Sequence, residues 1–219
     1  MRLKNSATLS LSIERRRYYQ RTINTREWKS YMYKQTTYNM ESERLFYRRF
    51  MKSDFKDLFE YLSDPEAVRF EPYRPLSLRQ CVDEAKSRAE SRNYWAAVLK
   101  SGEKMIGNIF FKQKEPLKFM TWELGYIFNK RYWGEGYATE ASKRIVRYGF
   151  EELGAHRIIA NCNQLNERSF RLMERLGMRR EQSAKRDVFF HYGDDAAPLW
   201  QDSFQYAILA EEYFGNDRR

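Results

Sequence analysis

Cysteine and histidine are scarce in this chain, with two of each among 219 residues. Cys81 and Cys162 make no disulfide framework in a chain of this size, which fits a reducing cytoplasm. Together with His156 and His191 they show none of the spacings of a metal site, so no metal is expected. No run of about 18 apolar residues occurs, so no transmembrane helix and no membrane partner are expected. Two nucleotide-binding signatures are also missing. No Lys-Ser or Lys-Thr follows Gly134 or Gly136, which excludes a P-loop. Thr139 stands where a dinucleotide fingerprint needs its third glycine.

The length suits one well-buried domain, and 16 Tyr, 15 Phe and 5 Trp supply core material. The net charge of +10 suggests nucleic acid until it is divided along the chain. Residues 1–40 hold nine Lys+Arg against two Glu, which is +7, and the other 179 residues hold 31 against 28, which is +3. The basic character is therefore a property of the N-terminal extension, and overall charge is no argument for nucleic-acid binding. Residues 1–39 read as a non-core extension with the cluster Arg15-Arg16-Arg17-Tyr18-Tyr19. Three readings stay open for it: a disordered or loosely helical tail, translation that starts later at Met32 or Met40, or a targeting leader or RNA-contacting arm. Residues 40–219 form the expected domain.

The most informative stretch is Arg131-Tyr132-Trp133-Gly134-Glu135-Gly136-Tyr137-Ala138, between a strand-like run, 122–128, and a helix-like run, Ala138 through Glu152. A helix N-terminus leaves backbone N–H groups unpaired and carries the positive pole of the helix dipole. Glycines without Cβ let an anion approach closely, so this turn is a candidate phosphate or pyrophosphate cradle. The pattern R-x-x-G-x-G-x-A resembles the acetyl-CoA loop of the GNAT superfamily of N-acetyltransferases. Asn166-x-x-Ser169 with Leu176-Gly177-Met178 is similar to a second segment of that superfamily. Glu43-Arg44-Leu45, Ser63-Asp64-Pro65-Glu66, Trp95-Ala96-Ala97-Val98 and Ile106-Gly107-Asn108-Ile109 extend the likeness to its RimJ/RimL-like branch, named for enzymes that acetylate ribosomal-protein N-termini. The resemblance spans roughly residues 40–214.

Coarse patterning predicts a first strand at Leu45–Phe50 and a helix capped by Ser53 with Phe55, Leu58, Phe59 and Leu62 on one face. A second helix opens on a Ser77/Gln80 capping box and runs toward Glu90. Trp95–Lys100 and Met105–Gln113 form a hairpin, and Thr121–Phe128 feeds the cradle. Then follow a strand at Arg157–Cys162, a short helix at Ser169–Leu176, and last strands at Met178–Ser183 and Asp202–Leu209. The fold class expected is α+β: an α/β sandwich with a mixed, mostly antiparallel central sheet and helices on both faces, the GNAT-like acyl-CoA fold.

The resemblance implies direct acetyl transfer from acetyl-CoA to a primary amine. It puts the pyrophosphate on the backbone of Arg131, Trp133, Gly134, Glu135, Gly136, Tyr137 and Ala138. Arg131 adds a guanidinium suited to phosphate or is a solvated arginine before a helix. Ile127 and Phe128 offer backbone pairing to the pantetheine arm. Asn166 bonds that arm, or caps a helix, or both. Glu123 is the candidate base, because apolar neighbours in Trp122-Glu123-Leu124 raise a carboxyl pKa; its alternatives are a pair with a lysine, a role in orienting the amine, or a proton lost through ordered water. The family tyrosine seven residues after the asparagine is Met173 here, which donates nothing. Ser169 is then the nearest acid for the leaving thiolate, or a residue that caps or packs. Cys162 reads as core.

The acceptor is a protein N-terminal amine, a polyamine or another small amine, chosen by loops such as Glu71–Pro75, Lys114–Met120 and Phe189–Leu199. The competing reading is a non-catalytic CoA-binding sensor, or an RNA- or ribosome-docking protein that uses residues 1–39. The sequence leaves monomer and homodimer both open.

Overall fold

The computed structural model describes residues 39–216. The N-terminal extension therefore lies outside the described residues apart from Asn39. Eight strands form one sheet in the order β1-β2-β3-β4-β5-β6-β8-β7. They are β1 Met40–Glu41, β2 Leu45–Arg48, β3 Tyr94–Leu99, β4 Met105–Gln113, β5 Thr121–Phe128, β6 Arg157–Asn163, β7 Arg179–Tyr192 and β8 Pro198–Leu209. Only β5 and β6 pair in parallel. The helices are α1 Phe55–Leu62, α2 Leu78–Glu90, α3 Tyr137–Glu151, α4 Glu167–Arg175 and α5 Ala210–Asn216. This is the mixed α+β sheet expected from the sequence.

Strand alternation sends alternate residues of β4 and β5 to opposite faces. Ile109, Phe111, Leu124 and Phe128 join a core with Ala141, Ile145, Val146 and Phe150 of α3 and with Leu172, Met173 and Leu176 of α4. Gly149 lets α3 close on the sheet there, since a Cβ on it would stand 2.7 Å from the Phe111 ring. On the other face, Tyr61 of α1 and Arg88 of α2 both donate to the Asn108 side-chain oxygen, at 2.8 Å each. Asn108 therefore ties both helices to β4.

Several local expectations need correction. Ser53 does not cap α1; Asp54 is the N-cap residue. Its carboxylate is buried, takes a two-pronged pair from Arg48 at 2.8 Å, and accepts from the Met51 N–H. The buried face of α1 is Leu58, Tyr61 and Leu62, while Phe59 is exposed. The segment Phe189–Leu199, expected as a loop, lies mostly in the long β7–β8 hairpin. Helix α5 was not expected; its Tyr213 stacks on Phe150. The Ser77/Gln80 capping box is present.

Candidate active site

Strands β5 and β6 stay paired only from Thr121 to Glu123, against Arg157 to Ile159. Beyond that they separate, while β6 keeps its antiparallel ladder with β8 out to Asn163. The gap opens a cleft of about 1490 Å³ lined from β5, β6, α4 and the start of α3. Backbone groups of β5 must face either β4 or this gap. At the ends of the β4–β5 ladder, Lys114 N–H donates to the Thr121 carbonyl and Asn129 N–H to that of Ile106. The register between them is unbroken. Antiparallel pairing alternates, so the backbones of Glu123, Gly125 and Ile127 turn to β4 and those of Leu124, Tyr126 and Phe128 turn to the gap. An extended arm lying there meets Tyr126 and Phe128, and not Ile127 as the sequence suggested. The Phe128 carbonyl already accepts the Trp133 indole N–H at 2.9 Å.

Where β5 ends, a single 3-10 turn, Lys130–Tyr132, leads into the glycine-rich loop. Gly134 and Gly136 take φ of 84° and 80°, the left-handed region that side chains disfavour. Gly136 is the N-cap residue of α3 and has no side-chain cap, so the first N–H groups of a 15-residue helix are left for an anion. From behind, Arg44 holds the turn rigid. Its guanidinium donates to the Glu135 carbonyl at 2.9 Å and to the Glu140 carboxylate at 2.7 Å, and lies over the Tyr137 ring. Burial opposes the charge on Glu140, but hydrogen bonds from Ser42 and Arg44 outweigh it and hold its pKa below the ordinary value. The residues present thus fit a diphosphate.

Of the site residues named from the sequence, all but Arg131 and Glu135 line the cleft. For Arg131 the cofactor placement is corrected to the solvated alternative: its side chain is 77% exposed and faces Glu60 of α1 at 3.9 Å, and its backbone N–H is tied to Asn129. The positive charge comes from α4. Arg168, Arg171 and Arg175 recur at helical spacing along one face and line the cleft. Arg168 stacks over Trp133 at 4.4 Å, and Arg175 donates to Thr139 on α3. That spacing was visible in the sequence and was overlooked. Asn166 caps α4 by accepting from the Ser169 N–H at 3.2 Å, so the capping alternative is realised through its oxygen.

At the middle of the gap, the Tyr126 hydroxyl lies 3.0 Å from the Ser169 Oγ and donates to the Ser169 carbonyl at 2.9 Å. Burial pushes the Tyr126 hydroxyl above the ordinary phenol value, against the Ser169 bond. The same Ser169 hydroxyl bonds the Cys162 thiol, which burial raises to about 11. Cys162 is therefore no thiolate nucleophile. Tyr126 was not singled out from sequence. Glu123 lines the cleft in different company from that expected. Its carboxylate accepts from Lys114 and from the Asn161 amide, each at 3.0 Å. Trp122 and Leu124 flank it in sequence but point to the opposite face, so the apolar surroundings invoked for a base are absent.

The other end of the cleft is walled by residues 66, 67 and 69–73, from the segment between α1 and α2, and by Glu84, Arg88, Tyr94 and Phe110. Arg88 is buried, donates to Glu84 at 2.7 Å and to Asn108 at 2.8 Å, and lies over the Tyr94 ring at 4.7 Å. Among the described residues no group of three His, Cys, Asp or Glu could hold a metal, and no helix is long and apolar enough to cross a membrane.

An anion cradle at a helix N-terminus, beside splayed strands and at one end of a two-ended cleft, defines an acyl-CoA-dependent transferase. Residues 44–179 match the acetyltransferase (GNAT) domain family. The uncharacterized N-acetyltransferase YnaD of Bacillus subtilis is 33% identical over 80% of this chain and 99% of its own length. A GNAT-family acetyltransferase from Bacillus anthracis superposes with a TM-score of 0.72 at 32% identity, over 79% of this chain and 99% of that one. The spermidine N-acetyltransferase of Vibrio cholerae, solved with CoA and spermine, shares the fold at a TM-score of 0.65 and 16% identity, over 79% and 99%. The chain belongs to the GNAT family and is an acetyltransferase that uses acetyl-CoA.

Proposed function

We propose that this enzyme moves the acetyl group of acetyl-CoA onto the primary amine of a small molecule in the reducing cytoplasm. The observation that supports this most is the cleft. Its volume of about 1490 Å³ exceeds the roughly 300–1,000 Å³ typical of a one-ligand pocket, so it has room for the pantetheine arm and a compact acceptor side by side. Cys81 and Cys162 are both free thiols, which fits that compartment. In this reading the N–H groups of residues 134–139 and the α4 arginines hold the pyrophosphate, and Tyr126 and Phe128 align the arm. Asn166 keeps its amide N–H₂ for the same arm. The amine nitrogen attacks the thioester carbonyl, the carbon–sulfur bond breaks, and Ser169 with Tyr126 relays a proton to the thiolate. Glu123, held by Lys114 and Asn161, acts as a polar wall.

The resemblance of Glu43-Arg44-Leu45, Ser63-Asp64-Pro65-Glu66, Trp95-Ala96-Ala97-Val98 and Ile106-Gly107-Asn108-Ile109 to the RimJ/RimL-like branch makes a protein N-terminus the first alternative acceptor; a polyamine, as the name of the Vibrio enzyme states for that protein, is the second. Release of CoA thiol from acetyl-CoA separates them, with monoamines, polyamines, aminoglycosides and free-N-terminus peptides as acceptors. Monoamine-dependent turnover supports the proposal. Turnover with peptides alone replaces it, and turnover with no amine overturns it.

A further inference from the structure

The carboxylates that line the cleft differ in their partners. Glu66 pairs with Lys130 and Arg168, Glu84 with Arg88, Glu123 with Lys114, and Glu167 with Arg171. Asp187 is exposed and accepts from Ser203. Glu71 is partly buried and forms no ion pair with the described residues, and Arg88 and Tyr73 favour its charged form. The cation that acts on it, Arg88, already donates to Glu84 and Asn108. Across the cleft, the charge of Glu71 is felt at Tyr94 on β3 and at Tyr126 on β5, the tyrosine bonded to Ser169. Phe70, Tyr94 and Phe110 supply aromatic wall around it.

We propose, given that the enzyme is an amine acetyltransferase, that Glu71 receives the acceptor's ammonium group and takes its first proton, and that the acceptor is a primary monoamine on an aromatic or apolar body. A carboxylate without a cation partner attracts an ammonium strongly, and aromatic faces add cation–π attraction. A polyamine needs further uncommitted carboxylates, and only exposed Asp187 remains. Proton balance is simple. R–NH₃⁺ gives one proton to Glu71, and the free amine forms the nitrogen–carbon bond. The carbon–sulfur bond then breaks with its electron pair on sulfur, and the second nitrogen proton passes to the thiolate. Glu71 returns its proton to solvent. Burial raises the Glu71 pKa to about 7, against Arg88 and Tyr73, which suits a base at neutral pH. The charged and titratable groups that line the cleft around it are Glu66, Arg69 and Tyr73 on its own segment, Glu84 and Arg88 on α2, Tyr94 on β3, and Tyr126 on β5. None of these adds a second free carboxylate.

The test compares phenethylamine with spermidine and a free-N-terminus peptide on wild type, Glu71→Gln and Glu71→Asp. Expected for wild type are a kcat/KM for phenethylamine ~10-fold or more above that for spermidine, and an acid limb with an apparent pKa near 7. Glu71→Gln should lose ~10²-fold and the acid limb, with acetyl-CoA affinity intact and no loss of stability, and Glu71→Asp should recover part of the loss. Spermidine preference, or a Glu71→Gln enzyme within about threefold of wild type, sinks the Glu71 assignment while leaving amine acetylation in place. If no amine is acetylated and phenethylammonium shows no calorimetric binding to the CoA-loaded protein, both readings fall.

Discussion

In the proposed reading, the binding groups at the donor end of the cleft are backbone N–H groups of residues 134–139, contiguous in sequence and set by one turn and one helix. At the acceptor end they are side chains, Glu71, Tyr73, Glu84, Arg88 and Tyr94, brought together from a connecting segment, a helix and a strand. The first kind of site tolerates most side-chain changes and fails when backbone geometry fails. The second changes character with a single substitution. A fold built this way keeps one donor and varies its acceptor by changing the segment between α1 and α2 and the facing strand residues.

The largest expected effect attacks the donor end through its backbone. Gly136 sits at φ 80° with open space around its missing Cβ apart from Arg44 Nη2 at 3.5 Å, so a substitution there is resisted by conformation and not by crowding. A β-branched residue at such a φ costs about 3 kcal/mol, which the loop can relieve only by turning its N–H groups away. Gly136→Val should therefore weaken acetyl-CoA binding ~10²-fold by calorimetry. An unchanged Kd would mean that the pyrophosphate does not use this turn.

Next in size is the junction of the two ends. Tyr126→Phe keeps the ring in place and removes the hydroxyl that faces Ser169. If the pair relays the thiolate's proton, kcat should fall ~10-fold with KM for acetyl-CoA unchanged. A change in KM alone would make Tyr126 a packing residue. Smaller again is the α4 charge. Arg168→Gln should raise KM for acetyl-CoA about fivefold at low salt, and less at high salt, because exposed charges are screened. Arg131→Gln, whose side chain faces Glu60 and not the cleft, should leave that KM within about twofold, which sharpens the correction made to the sequence reading.

The same contrast explains what could be read in advance. The cradle, the β3–β4 hairpin and the Ser77/Gln80 cap depend on neighbours a few residues away, so pattern and spacing reveal them. Residues 184–201 of the terminal hairpin have little buried face, and without an apolar period nothing marks them as strand. Ser53 looks like the cap of α1 until Arg48 buries the carboxylate of Asp54, a tertiary contact. Glu123 was judged by residues beside it in sequence, whereas the ones that touch it, Lys114 and Asn161, lie across strands. The roles proposed for Tyr126 and Glu71 rest chiefly on the cleft around them, built from other elements, and leave little local trace. Ile127 was placed at the right height in β5, but which way its backbone faces follows from hydrogen-bond parity along the whole ladder.

A last expected effect is on stability, and it probes the acceptor end without any substrate. Folding raises the Glu71 pKa to about 7 from the ordinary 4.5, chiefly through burial. A group whose pKa is higher in the folded state binds its proton more tightly there. Its contribution is fully present below pH 4.5 and is lost as pH rises toward about 7. Wild type at pH 8 thus carries an ionised carboxylate in a site that prefers it neutral, at a cost of about 1–2 kcal/mol once its partial exposure is allowed for. Glu71→Gln has no such charge. The variant should be more stable than wild type by that amount in urea at pH 8, and the difference should shrink steadily as the pH is lowered to 5. A gap that is independent of pH would show that Glu71 folds with an ordinary carboxylate, well solvated and ready paired, and would remove the physical basis for treating it as the group that waits for an ammonium.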